Sequence, residues 1–178
     1  MSPSSPDSSQ GGAGRVLVVL RHGKAEAYGA EDHGRHLVAR GTREATATGA
    51  WLASSGWVPS HAIVSSAART QETWACIARG PGASARADVS DAAYAASTDS
   101  AMEILRGAPA EARVLVLVGH NPTVSSLALL LDDGDPDPAA LRALSSGLPT
   151  GGAAVFEVGV PWRDLDVGTG RLVACYAP

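Results

Sequence analysis

The chain has 178 residues, a length that fits one domain with a substantial hydrophobic core. Its formal net charge of -4 argues against bulk electrostatic binding to nucleic acid or to an anionic membrane surface. No apolar run is long enough to span a bilayer, and Cys76 and Cys175 lack the spacing of a disulfide framework or a zinc site. We therefore expect a cytoplasmic protein, most simply a monomer, without nucleic-acid or membrane partners.

The predicted elements alternate between strands and helices, which is typical of an α/β protein with a mainly parallel sheet. Residues 1–14 are Ser, Pro and Gly with almost nothing to bury, so they are predicted to be a disordered tail before a folded domain over 15–178. Strands are predicted over 15–20, 61–64, 87–89, 113–118, 153–160 and 171–176. Helices are predicted over 39–55 (capped by Thr42 and ended by Gly56), over 66–79, from a cap at Ser97 or Thr98 to 106, over 122–131 (capped by Asn121) and over 139–144. Loops are predicted over 26–38 and, with an acidic composition, over 132–138.

Polar residues follow three of the predicted strands at the point where each strand ends. They are Arg21-His22-Gly23 after the first strand, Ser65, Ser66 and Arg69 after the second, and Gly119-His120-Asn121-Pro122 after the strand over 113–118. Taken alone, the first group also fits a strand that ends in solvent with a capping arginine. If these strands are parallel neighbours, however, the carboxyl edge of the sheet would bring Arg21, Arg69 and two imidazoles together. Such a pocket would be cationic inside an acidic protein and suited to a dianion such as phosphate.

These blocks resemble the signature of the histidine phosphatase superfamily, also called the phosphoglycerate-mutase-like family. The matching blocks, in the expected order, are RHG at 21–23, SSAART at 65–70 and GHNP at 119–122. The resemblance runs from about Arg15 to the C-terminus and implies a three-layer α/β/α sandwich with a mainly parallel central sheet. The short chain and the segments 35–37 and 148–153 are similar to the small SixA branch, which acts on phosphohistidine in signalling proteins. His36 and Val38 stand where that branch usually has Pro and Thr.

The resemblance implies a covalent mechanism without a metal or another cofactor. One ring nitrogen of His22 would attack phosphorus while a backbone carbonyl holds the other N–H, and water would hydrolyse the phosphohistidine intermediate. The catalytic set that it implies is Arg21, His22, Arg69 and His120. The phosphate ligands that it implies are Arg21, Gly23, Arg35, Arg69, His120 and Asn121.

The sequence departs from the larger family in its general acid. Family members that act on alkyl phosphates carry a glutamate after the second helix, and the matching segment over 92–99 has none. Asp99 and Glu26 are candidate substitutes, and each also fits a solvated surface carboxylate. An absent acid favours substrates with good leaving groups, such as phosphohistidine or an aryl phosphate, and argues against mutase activity.

The sequence therefore predicts a phosphatase that acts on phosphohistidine in a protein. One alternative is a phosphatase of small phosphorylated molecules, with the loops over 26–38 and 132–138 forming a specificity pocket. Another is a phosphate-binding module that has lost turnover. His33 and His36 have a spacing that could suggest a metal, but no carboxylate or cysteine is patterned around them, so we expect them at the loop surface or in contact with substrate.

Overall fold

The computed structural model describes residues 14–29, 31–80, 82 and 84–178. The strands within this part of the chain are β1 (Arg15–Arg21), β2 (His61–Ser65), β3 (Arg86–Ser90), β4 (Val114–Gly119), β5 (Ala153–Val158) and β6 (Gly170–Tyr176). The helices are α1 (Ala39–Ser54), α2 (Ala68–Ile77), α3 (Thr98–Arg106), α4 (Thr123–Leu131) and α5 (Pro138–Leu144), with 3-10 turns at Asp32–Gly34 and Trp162–Asp164. The tail predicted over 1–14 lies outside the described residues except for Gly14, so it stays a prediction.

The strands form one mixed sheet in the order β3-β2-β4-β1-β5-β6. The pairs β2–β3, β2–β4 and β1–β4 are parallel, whereas β5 is antiparallel to both β1 and β6. The fold class predicted from the sequence, α/β with a mostly parallel central sheet, is therefore confirmed. Because β1 lies beside β4 and β4 beside β2, the carboxyl ends of these three strands meet at one edge of the sheet.

The helices pack on both faces of this sheet, which gives three layers. Leu17 and Val19 of β1 belong to a core shared with α3, α4 and α5, whereas Val18 and Leu20 belong to a core shared with α1 and α2. The split follows from strand geometry, since successive side chains point to opposite faces. An unbroken apolar run is thus what a strand covered on both faces requires. No helix in the described part of the chain has the length and apolar character needed to cross a membrane.

Two of the N-caps predicted from the sequence are wrong. Thr42 lies inside the first turn of α1, and Val38 takes the N-cap position without a side-chain capping bond. Asn121 does not cap α4, because Pro122 occupies that position and the amide of Asn121 is used elsewhere. By contrast, Ser97 caps α3 as predicted, since its hydroxyl accepts a main-chain N–H in the first turn.

The chain that follows β1 is packed closely against the first turns of α1. A Cβ atom on Gly23 would lie 2.5 Å from the carbonyl oxygen of Gly41, and one on Gly41 would lie 2.1 Å from that of Lys24. The buried carboxylate of Glu44 accepts the N–H of Lys24 at 2.8 Å and Nε of Arg40 at 2.7 Å. Two glycines and a buried glutamate therefore fix the position of the segment that carries His22.

Candidate active site

A cleft of about 570 Å³ opens at the carboxyl ends of β1, β2 and β4. The predicted site residues that line it are Arg21, His22, Arg35, Arg69, His120 and Asn121. Further polar side chains in its lining belong to Lys24, Asp32, Tyr94 and Thr150. The edge of the sheet thus brings together most of the residues that the three strand ends predicted, together with an arginine from the loop.

His22 has one ring nitrogen hydrogen-bonded to the backbone, and its other ring nitrogen has no partner among the described residues. Its Nδ1 lies 2.7 Å from the carbonyl oxygen of Gly23. A carbonyl can only accept, so Nδ1 carries the proton and Nε2 keeps its lone pair. Burial lowers the pKa of His22 to about 4; the Gly23 hydrogen bond opposes this, and the charges of Arg69 and Arg21 add to it. The ring is therefore neutral at neutral pH, which is the form that a nucleophile needs.

His120 is held between a hydroxyl and a guanidinium group. Its Nε2 lies 2.7 Å from Oγ of Ser65 and its Nδ1 lies 3.3 Å from Nη2 of Arg69. A guanidinium group can only donate, so Nδ1 accepts and Nε2 carries the proton toward Ser65. Burial, assisted by Arg69 and His22, lowers the pKa of His120 to about 3. The centroids of the His22 and His120 rings are 5.2 Å apart, so both imidazoles face the same small volume.

Arg69 and Arg21 contribute guanidinium groups to the lining of the cleft. Arg69, on α2, is only 4% exposed and donates from Nη1 to the backbone oxygen of Asp32 at 2.6 Å. Arg21 donates from Nη1 to the carbonyl oxygen of Leu148 at 3.0 Å. The Nε atoms of both arginines are buried without a hydrogen-bond partner among the described residues. Buried donors without acceptors are uncommon, and an anionic ligand would reduce the electrostatic cost of these cations.

Arg35 reaches the cleft from the loop that the resemblance indicated. It donates from Nη1 to the carbonyl oxygen of Glu26 at 2.7 Å. The loop is tied to α2 by Glu72, which accepts from Nδ1 of His36 at 2.5 Å and from the N–H of Leu37 at 2.7 Å. This contact with Glu72 raises the pKa of His36. His36, which stands where the SixA branch usually has proline, therefore helps to hold the loop against α2.

Asp32 is the main residue of the cleft that the sequence did not single out. Its carboxylate accepts from Tyr94 Oη at 2.7 Å, from Arg69 Nη2 at 2.9 Å, and from Nε and Nη2 of Arg35 at 2.9 and 2.7 Å. The Tyr94 hydroxyl and the two arginines hold the pKa of Asp32 well below its usual range. The loop over 26–38 has no hydrophobic period from which the position of Asp32 could be predicted. The available signal was the position of Asp32 three residues before Arg35.

The two candidate general acids, Asp99 and Glu26, lie outside the lining of the cleft. Asp99 lies in the first turn of α3 and lines a separate surface groove together with Arg106 and Asp166. The carboxylate of Glu26 accepts the N–H of His36 at 3.0 Å and is not part of the cleft lining. Neither carboxylate therefore lines the cleft in this structure.

Gly23 and Asn121, both predicted phosphate ligands, make hydrogen bonds within the protein. The N–H of Gly23 is buried and donates to Oγ1 of Thr73 at 3.0 Å, so it cannot also donate to phosphate. The amide of Asn121 donates from Nδ2 to the carbonyl oxygen of Leu148 at 3.0 Å and accepts from Oγ of Ser125 at 2.6 Å. Gly23 thus orients His22, and Asn121 supports the same carbonyl that Arg21 contacts.

His33, predicted at the loop surface or against substrate, contacts two groups at the rim of the cleft. Its Nε2 lies 3.0 Å from Oγ of Ser66, and its ring meets the edge of Tyr94 with centroids 4.8 Å apart. The centroids of the Tyr94 and His120 rings are 5.6 Å apart. The loop side of the cleft is therefore joined to the imidazoles through one aromatic ring.

Comparisons with known proteins identify the family of the chain. The model of the histidine phosphatase superfamily (branch 1) matches residues 17–96. A structure from Nakamurella multipartitia, provisionally assigned as the phosphohistidine phosphatase SixA, is 32% identical with a TM-score of 0.79, covering 93% of this chain and 96% of that chain. A second structure with the same provisional assignment, from Agrobacterium tumefaciens, is 27% identical with a TM-score of 0.77, covering 92% of this chain and 98% of that chain. The uncharacterized protein Rv1276c of Mycobacterium tuberculosis (strain ATCC 25618 / H37Rv) is 33% identical over 162 residues, 89% of this chain and 99% of its own. The chain belongs to the histidine phosphatase superfamily.

Proposed function

We propose that this protein is a phosphatase in which His22 is the nucleophile, and that it removes the phosphoryl group from phosphohistidine in a protein. The observation that carries the proposal is the neutral His22, whose Nε2 keeps its lone pair beside His120, the buried Arg69 and the half-buried Arg21. The similarity to structures provisionally assigned as phosphohistidine phosphatases supports the choice of substrate. No metal is required for the chemistry that these side chains perform.

The reaction has two displacements at phosphorus. Nε2 of His22 forms a bond to phosphorus while the phosphorus–nitrogen bond of the substrate breaks. The substrate imidazole, protonated on its other nitrogen, leaves as a neutral ring. Water then attacks the phosphorus and the bond to Nε2 breaks, which leaves His22 as a neutral ring. The phosphoryl group takes up the oxygen and both protons of the water and leaves as dihydrogen phosphate. Arg21, Arg35 and Arg69 stabilise the charge on the phosphoryl oxygens, which is the main contribution that a protein makes to phosphoryl transfer.

The ionised state of the carboxylate in the cleft supports the proposal that the substrate has a good leaving group. Asp32 is the only acidic side chain in the cleft lining among the described residues. Its pKa lies well below the usual range, so it is ionised at neutral pH and has no proton to give. An alkoxide leaving group needs such a proton, whereas a protonated imidazole or a phenolate does not. The cleft therefore favours phosphohistidine and aryl phosphates over alkyl phosphates.

A panel of substrates tests this proposal. The purified protein is incubated with a histidine-phosphorylated protein, an aryl phosphate, and a set of sugar and nucleotide phosphates, and the release of inorganic phosphate is followed. We expect turnover of the first two and little of the alkyl esters. Efficient turnover of the alkyl esters would assign the protein to small phosphorylated molecules instead. Binding of phosphate without any turnover would make it a binding module.

A further inference from the structure

Of the three arginines that a phosphoryl group would use, Arg35 and Arg69 already donate to Asp32. Both Nη atoms of Arg69 donate to this residue, one to its backbone oxygen and one to its carboxylate, and Nη2 also faces His120. The side chain of Arg69 is 5% exposed beneath a carboxylate residue whose side chain is 54% exposed. Two donors of Arg35 are bound to the other carboxylate oxygen. An anion that enters the cleft therefore meets a competing anion.

The segment that carries Asp32 can give way without loss of core packing. Asp32 lies in the 3-10 turn Asp32–Gly34, which contributes no buried residue and has no side-chain cap at its start. What holds the carboxylate in place is polar, namely the two arginines and the hydroxyl of Tyr94. Exchange of one anion for another on these donors would leave their hydrogen bonds satisfied.

We propose that Asp32 determines ligand specificity as an internal anion that an incoming phosphoryl group has to displace from Arg35 and Arg69. This role rests on the proposed function and adds the selection of ligand charge to it. A tethered carboxylate has a high effective concentration at the arginines, so a free monoanion has no advantage over it. A phosphoryl dianion interacts more strongly with two guanidinium groups and displaces it. The cleft thereby accepts phosphomonoesters and phosphoramidates and rejects phosphodiesters and carboxylates.

Calorimetric binding at mildly alkaline pH, where inorganic phosphate is a dianion, tests this role directly. Phosphate and the monoanion dimethyl phosphate are titrated into the wild-type protein, Asp32→Asn and Glu31→Gln. Glu31→Gln is the matched control, because it also removes one negative charge. Glu31 is the exposed neighbour of Asp32, and its side chain makes no hydrogen bond or ion pair among the described residues. We expect Asp32→Asn to bind phosphate roughly tenfold more tightly and to bind dimethyl phosphate measurably, since a like charge has left the site. Glu31→Gln should match the wild type.

Tyr94→Phe provides a second variant that keeps the carboxylate and the charge of the cleft. It removes one hydrogen bond from Asp32, so phosphate affinity should rise in the same direction by a smaller factor. Unchanged or weaker phosphate binding by folded Asp32→Asn would overturn the proposal and show that Asp32 only positions Arg35 and Arg69. If Asp32→Asn does not fold, unchanged or weaker binding by Tyr94→Phe would have the same consequence. Neither measurement needs turnover, so tighter binding in an inactive protein would refute only the proposed function.

Discussion

The two sides of the cleft are built by different means. On the framework side, β1 and β4 pair in register, with Arg21 opposite Gly119, and this pairing places His22 beside His120. On the loop side, Asp32 and Arg35 are held by polar contacts to Tyr94, Arg69 and Glu26. Hydrophobic burial fixes the first set, whereas ion pairs and hydrogen bonds fix the second. The proposed nucleophile His22 thus has a rigid support, while the residues proposed to select the ligand are held by contacts that can exchange.

The largest expected effect is on the framework side. His22→Ala should abolish phosphate release, because His120 has both ring nitrogens engaged and offers no alternative nucleophile. The fold should remain, and thermal unfolding followed by circular dichroism checks this. His61→Asn is the matched control, since His61 is a buried histidine at the opposite end of β2 that bonds to Asp88. Phosphate release by His22→Ala, or its loss in a folded His61→Asn protein, would contradict the assignment of the nucleophile.

Alanine substitutions of Arg69 on the framework side and Arg35 on the loop side test whether the two sides differ in preorganisation. Arg69→Ala should lower kcat about a hundred- to a thousandfold, the typical cost of removing one preorganised donor to a transition state. Arg35→Ala should have a smaller effect, roughly tenfold and mainly on KM, because Arg35 lies on the loop with 24% of its side chain exposed, whereas Arg69 lies on α2 with 5% exposed. Steady-state kinetics with an aryl phosphate measure both. Equal losses in kcat would mean that the loop side is as preorganised as the framework.

Close packing of glycines connects the framework to the fold, and its loss should lower both stability and activity. An added Cβ at Gly41 would collide with the backbone of Lys24, so Gly41→Ala must shift the segment that carries His22. We expect a loss of about 1–3 kcal/mol in the free energy of unfolding, together with reduced kcat. Gly159→Ala is the control, since no atom lies within 4 Å of its added Cβ. Chemical denaturation and turnover assays give the two values, and a fully active Gly41→Ala protein would show that the segment adapts.

The framework side could be predicted from the sequence, and the loop side could be predicted only in part. The apolar runs before Arg21 and His120 have the pattern of buried parallel strands, and such strands bring their carboxyl ends together. The position of Arg35 came from a family resemblance alone. Asp32 and Tyr94 lie in segments without a hydrophobic period, and their contacts join parts of the chain that are far apart in sequence. The close approach between Gly41 and Lys24 depends on the docking of α1, which no local pattern specifies.

Acid should destabilise the protein through the two imidazoles of the framework side. The pKa of His22 is about 4 and that of His120 about 3 in the folded protein, below the ordinary value of 6.5. The unfolded chain therefore binds more protons in this range, so the free energy of unfolding falls as the pH decreases from about 6.5 toward 4. Urea denaturation at a series of pH values measures the slope. His22→Asn should reduce it, and an unchanged slope would show that His22 is not buried as a neutral ring.

The smallest expected effects concern the carboxylates that lie outside the cleft. Asp99→Asn and Glu26→Gln should each leave kcat/KM for an aryl phosphate within about twofold of the wild type, because exposed side chains away from the reacting groups change free energies by little. The decisive comparison is with substrates of poorer leaving groups. A general acid would make its variant lose activity in proportion to the basicity of the leaving group, whereas a surface carboxylate would not. If either variant loses activity selectively on the poorer leaving groups, that residue moves into the cleft when substrate binds, and the preference for phosphohistidine loses the support that the ionised Asp32 gives it.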